Sequence, residues 1–119
     1  MRKFKKMLLG MALAMGVFVG AAGSCYAAGN SISVDITANR AYGKFVCGEA
    51  GHRIKVTVYY REVNSSGFER SGTVGDTQLG NVTTAVASRP STTGYRYLWG
   101  YSVGYVDDVE VAVSGVAYA

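Results

Sequence analysis

Arg53-Ile54-Lys55-Val56-Thr57-Val58-Tyr59-Tyr60-Arg61 decides the fold class. Ile54, Val56, Val58 and Tyr60 fall on one side of an extended backbone, and Arg53, Lys55, Thr57 and Arg61 on the other. Side chains of a strand alternate between two faces with a period of two, whereas a helix would scatter these four apolar residues around its circumference. The stretch reads as a strand with one dry face and one wet face.

Upstream, Ser31-Ile32-Ser33-Val34-Asp35-Ile36-Thr37-Ala38 has the same period, with Ile32, Val34, Ile36 and Ala38 on the inner face. Tyr42 to Cys47 makes a shorter strand, and Gly48-Glu49-Ala50-Gly51 a turn. Downstream, Asn64-Ser65-Ser66-Gly67 turns the chain into Phe68 to Val74, a weakly apolar strand expected at an edge. Val82 to Ala87 follows, then the polar loop 89–94. Tyr95 to Val106 and Val109 to Tyr118 come last, joined at Asp107-Asp108. Seven strands at short spacing with no helical window predict an all-β domain, a small antiparallel β-sandwich or a small barrel.

The first 27 residues do not belong to that pattern. Four cations (Arg2, Lys3, Lys5, Lys6) precede an apolar run from Met7 to about Val19, and small residues lead to Ala27. This is the layout of a bacterial secretory signal peptide, with an apolar run short for a membrane span. The expected organisation is 1–27 as leader and 28–119 as one domain, with a secreted or cell-envelope location. An alternative is lipid anchoring through Cys25, since Ala21-Ala22-Gly23-Ser24 are small, although Ala22 stands where a leucine or valine is usual.

Removing the leader changes the electrostatics. Four of the twelve basic residues leave with it, so eight remain against eight acids, and the net charge of +4 falls to about zero. A nucleic-acid partner is thereby disfavoured. The domain has no transmembrane run, and its apolar stock is valine, isoleucine, alanine and tyrosine, which favours strands. Cleavage after Ala27 would leave Cys47 as the only cysteine, with no bridge within the chain.

Tyr95-Arg96-Tyr97-Leu98-Trp99-Gly100-Tyr101-Ser102-Val103-Gly104-Tyr105 poses a question of faces. Its odd positions form a row of rings that is either core wall or binding platform. A small domain poor in leucine needs apolar volume, so the centre (Trp99, Tyr101, Val103) is expected as wall. A strand of twelve residues spans roughly 40 Å, so an end projects. Tyr95, Arg96, Tyr97 and Tyr105 are the ligand-binding candidates, for a carbohydrate or protein ligand. The terminal hairpin has two registers. A two-residue loop sets Val106 opposite Val109. A three-residue loop sets Tyr105 opposite Val109 and makes the ring face continuously apolar; it is favoured because it removes more apolar surface from water. A bulge at Gly115 would return Val116 and Tyr118 to that face.

No constellation specifies a reaction. Cys47 and His52 flank a turn and would sit ~5 Å apart in a four-residue hairpin, with Glu49 near, but nothing supplies an oxyanion hole. They also fall short of the three or four ligands of a zinc site. Asp107, Asp108 and Glu110 cluster at one tip without the spacing of a calcium loop. Asn64-Ser65-Ser66 and Asn81-Val82-Thr83 match the glycosylation pattern by accident in a bacterial product. No catalytic residue, metal or cofactor is expected.

In layout alone, a short exported chain of alternating strands ending in aromatic strands resembles the lactococcin-type bacteriocins, small β-sandwiches that act at the bacterial envelope. No motif matches residue by residue, so no residue role follows. The expected function is a non-enzymatic secreted or surface binding module. A bacteriocin-like antimicrobial protein is the alternative, and a structural subunit of a surface assembly, built by strand addition at an open edge, is the third. Neutral charge and the lack of an amphipathic helix weigh against membrane lysis.

Overall fold

A computed structural model of the protein describes residues 30–119. The expected leader, and with it Cys25, lies outside the described residues. Alternating sequence becomes strand throughout: β1 (Ser31–Thr37), β2 (Arg40–Val46), β3 (Ile54–Asn64), β4 (Glu69–Gln78), β5 (Thr84–Pro90), β6 (Tyr95–Val106), β7 (Val109–Val113) and β8 (Ala117–Tyr118). The described residues contain no helix, and therefore none long and apolar enough to cross a membrane.

The strands form two antiparallel sheets, a three-stranded one in the order β1-β2-β5 and a five-stranded one in the order β4-β3-β6-β7, with β8 also on β6. The expected all-β sandwich is the fold observed. The weakly apolar β4 does lie at an edge, where few inward residues are needed. The core joins Ile36, Ala41, Phe45, Ala85 and Ala87 of the smaller sheet to Ile54, Val56, Val58, Tyr60, Tyr97 and Val106 of the larger. The inner face of β3 is the one its alternation predicts.

The terminal strands depart from expectation. Along β3 and β6, Glu62 pairs with Tyr97 but Arg61 with Trp99, so Leu98 is an extra residue in the ladder. Such a bulge reverses the parity of every side chain beyond it. Tyr97, before the bulge, is fully buried, while Trp99, Tyr101 and Tyr105, after it, are half-buried and lie on the outside of the sheet. The inward row is Gly100, Ser102 and Gly104.

The expected wall at Trp99, Tyr101 and Val103 is thus overturned, and the reason is volume. A Cβ on Gly104 would stand 2.5 Å from Cδ1 of Phe45, and one on Gly100 2.8 Å from Cδ1 of Ile36. Gly43 of β2 meets Ser102 in the same way. Each of these glycines faces a side chain of the opposite sheet, the sheets close on them, and no ring fits between. Val103 is 5% exposed yet stands outside the core cluster, opposite Val113 on the same outer face.

The hairpin loop has two residues, contrary to the favoured three. Val106 pairs with Val109 and Tyr105 with Glu110, and the register shifts next, between Gly104 and Tyr105. Asp107 and Asp108 have φ of 50° and 68°, the mirror-type turn whose twist suits a two-residue hairpin. The left-handed backbone is held from outside. Asp107 Oδ1 accepts from the Arg53 N–H at 3.0 Å, and Asp108 Oδ2 from Arg53 Nη1 at 2.7 Å. The bulge expected at Gly115 is replaced by a break between β7 and β8, after which Tyr118 pairs with Trp99.

Candidate functional site

The outer face of the larger sheet follows from the pairing. Lys55, Thr57, Tyr59 and Arg61 of β3 stand opposite Tyr105, Val103, Tyr101 and Trp99 of β6, and Arg61 and Tyr59 stand opposite Ser71 and Thr73 of β4. Directly opposed residues share a face, so rings and hydroxyls form adjoining rows. Tyr59 and Tyr101 are stacked, centroids 5.1 Å apart and planes within 15°. Trp99 continues the row, with Tyr118 beside it on β8.

Between the ring row and β4 runs an open groove of about 370 Å³, lined by Tyr59, Ser71, Thr73, Trp99 and Tyr101, with Tyr60 and Gly72 also contributing. One wall is aromatic and the other carries hydroxyls. Arg61 closes one end: its Nε donates to Glu69 Oε1 and its Nη1 to Ser71 Oγ, both at 2.9 Å. Toward the other end, Lys55 Nζ lies 4.7 Å from the centroid of Tyr105, within cation–π range. Partial burial, followed by the 3.5 Å contact with the Tyr59 hydroxyl, pushes the Tyr105 phenol well above its ordinary range. The ring row is thus bordered by charged side chains, Arg61 with Glu69 at one end and Lys55 with Glu110, which pairs with Tyr105, at the other.

The four candidates read from the sequence do not converge. Tyr105 belongs to this face, near its hairpin end. Tyr95 and Arg96 lie at the opposite end of β6, where they line a second groove of about 410 Å³ with Val63, Asn64, Ser65, Gly67 and Gly94. Arg70 covers the Tyr95 ring at 3.8 Å. Tyr97 is withdrawn altogether: it is 0% exposed, packs edge-on to Tyr60 at 5.0 Å, and its hydroxyl donates to Pro90 O at 2.9 Å while accepting from Arg89 Nη1 at 3.0 Å. Burial raises its phenol pKa, partly offset by Arg89.

Arg89 and Arg70 also serve Glu62, a carboxylate only 2% exposed. Arg70 Nε donates to Oε2 at 2.6 Å, and Arg89 Nη1 stands 3.6 Å from Oε1. This ion cluster, buried at Glu62 and partly exposed at Arg70 and Arg89, sits opposite Tyr97 on β6.

Sequence reasoning missed Tyr59, Trp99, Tyr101, Ser71 and Thr73 as site residues. A signal for Tyr59 existed: it alternates with Val58 and Tyr60, both inward, and so must point outward. For Trp99 and Tyr101 the signal was the small-residue row Gly100, Ser102, Gly104, a plausible inner face in its own right.

The Cys47 and His52 pairing fails on topology. β2 and β3 belong to different sheets, so 47–53 is a crossover and no hairpin sets the two side chains opposite each other. His52 instead lies between two carboxylates, Nδ1 2.7 Å from Asp107 Oδ2 and Nε2 3.1 Å from Glu49 Oε1. These contacts, Asp107 first, raise its pKa above 6.5, and His52 in turn lowers that of Asp107. Asp107 and Asp108 are spent on His52 and Arg53. Cys47 is disulfide-bonded.

Compared with known protein families, characterised proteins and solved structures, the chain matches none.

Proposed function

We propose that the protein is an exported, non-enzymatic binding module that holds a sugar chain along the outer face of its larger sheet. The observation carrying this reading is the groove walled on one side by Tyr59, Trp99 and Tyr101 and on the other by Ser71 and Thr73. A pyranose ring has apolar C–H faces and a polar rim. Stacked rings suit the faces, and serine and threonine hydroxyls, which both donate and accept, suit the rim. Flat, pre-aligned rings on a paired sheet lose little freedom on binding. The basic leader followed by an apolar run supports export.

The test is retention of the folded chain on insoluble polysaccharides (cellulose, chitin, peptidoglycan), followed by titration with soluble fragments of whichever retains it. Trp99→Ala and Tyr101→Ala should each weaken binding by about tenfold or more, as expected for losing about 1.4 kcal/mol of stacking. Tyr95→Ala should leave it unchanged. Retention by none of these matrices, or wild-type affinity in both groove variants, would refute the proposal.

A further inference from the structure

We infer that the protein pairs with a second copy of itself along β4, edge to edge around a two-fold axis at Thr73, so that two five-stranded sheets join into one. β4 is the outermost strand of the larger sheet. Its residues run beside β3 in unbroken register, from Glu69 opposite Val63 to Gln78 opposite Ile54. Among the described residues, no ladder joins its other side to a strand. β5 reaches it through a side chain, Asp76 Oδ2 accepting from the Val86 N–H at 3.2 Å. In an antiparallel ladder every second residue turns its N–H and C=O away from the partner strand. β4 therefore offers a row of unused donors and acceptors, and no proline, lysine or bulge blunts it.

The sequence of this edge is complementary to itself. Residues opposed across an antiparallel pair exchange both hydrogen bonds or neither, so two copies of one edge meet only with odd positions opposite odd and even opposite even. Thr73 on the axis satisfies that rule and sets Arg70 opposite Asp76 of the second copy, twice by symmetry. It also sets Val74 opposite Gly72 and Ser71 opposite Gly75, so each larger side chain meets a glycine. With Val74 on the axis instead, Arg70 would face Gln78 and Asp76 would face Gly72, and both charge pairs would be lost.

Both charged groups have capacity for the contact. Arg70 gives its Nε to Glu62 at 2.6 Å, but no hydrogen bond within the described residues occupies its Nη groups, on a side chain 41% exposed. Asp76 is bound by amides alone, the Gln78 side chain and the Val86 N–H. An independent observation points the same way. Phe68 and Leu79, 58% and 66% exposed, bracket β4. In this register Phe68 lies opposite Gln78 of the second copy, and so beside its Leu79, and the contact recurs at the other end. Docking removes all four apolar side chains from water. A two-fold contact uses each edge once and closes at a dimer. The inference concerns the β4 edge and does not depend on the sugar-binding reading.

The experiment is sedimentation velocity on the exported, folded chain over a range of concentrations, together with single-residue variants. The wild type should sediment as a reversible dimer. Thr73→Lys, on the exposed outer face, sets like charges on the axis and should weaken the dimer by about tenfold or more, with the far-ultraviolet strand signal unchanged. Thr73→Cys should form a disulfide between two copies on mild oxidation, because directly opposed residues bring their Cα atoms to about 4.5–5.5 Å, within disulfide range. Thr77→Cys, opposite Glu69 of the second copy, should not. Should Thr73→Lys fail to fold, the two cysteine variants decide the register alone. Four results would overturn the inference: a monomer at every concentration, a Thr73→Lys dimer as tight as the wild type, linkage through Thr77→Cys in place of Thr73→Cys, or association that continues past two copies.

Discussion

The two ends of β6 carry the same kind of sequence and meet opposite fates. Before Leu98, Tyr97 is sealed in the core with its hydroxyl tied to Pro90 and Arg89. After it, Trp99 and Tyr101 occupy the same odd positions and face out. One extra residue in the ladder separates them. An aromatic residue's fate is thus set by register and by the space available, and hydrophobicity alone does not decide it. Where the facing sheet offers Gly43, Ile36 and Phe45 at close range, the inward position must be nearly empty.

Breaking the buried end should cost most. Tyr97→Ala should destabilise the fold by about 3–5 kcal/mol, a large part of the ~5–10 kcal/mol typical of such a domain, read as a lowered urea midpoint. Tyr97→Phe keeps the ring and should cost only about 1–2 kcal/mol, the share of the hydroxyl bonds. Next comes the inward glycine row. Gly104→Val inserts three carbons against the Phe45 ring and should cost about 1–3 kcal/mol or more. If the rings were the true inner face, that substitution would be nearly silent.

On the outer side the same ring type should matter little for stability. Trp99→Ala and Tyr101→Ala should each change it by about 1 kcal/mol or less, while weakening polysaccharide binding by about tenfold or more. A Trp99→Ala variant as destabilised as Tyr97→Ala would erase the distinction between the two ends.

The smallest effect concerns the clip at the far end of β6. His52 has a raised folded pKa, so its contribution is present below 6.5 and fades as pH rises through the folded value above it. Asp107 has a lowered one, so its contribution is present above 3.8 and fades as pH falls through the folded value below it. Stability from this pair should plateau between those limits and decline at either side. His52→Gln should remove the decline on the alkaline side, seen as a flatter dependence of the unfolding midpoint on pH. Both groups are solvent-accessible, so the change is modest.

The fold class, the inner face of β3 and the edge position of β4 were legible because unbroken alternation has only one reading. The outer site was not, because the bulge at Leu98 reassigns the faces of the rest of β6. Nothing in Leu98 itself announces a bulge. The turn was misjudged for a related reason: the area argument favoured burying rings, whereas Arg53 and His52, distant in sequence, fix Asp107 and Asp108 in the mirror-type turn. Tyr59 could have been recognised from parity alone.

The account turns on which rings of β6 meet solvent. Photochemically induced nuclear polarisation with a flavin dye enhances signals only from tryptophan and tyrosine rings that the dye can touch. In the folded chain, Trp99 and Tyr101 should be polarised and Tyr97 silent, with all three responding after denaturation. Polarised Tyr97 beside silent Trp99 and Tyr101 would contradict it and restore the rings to the core.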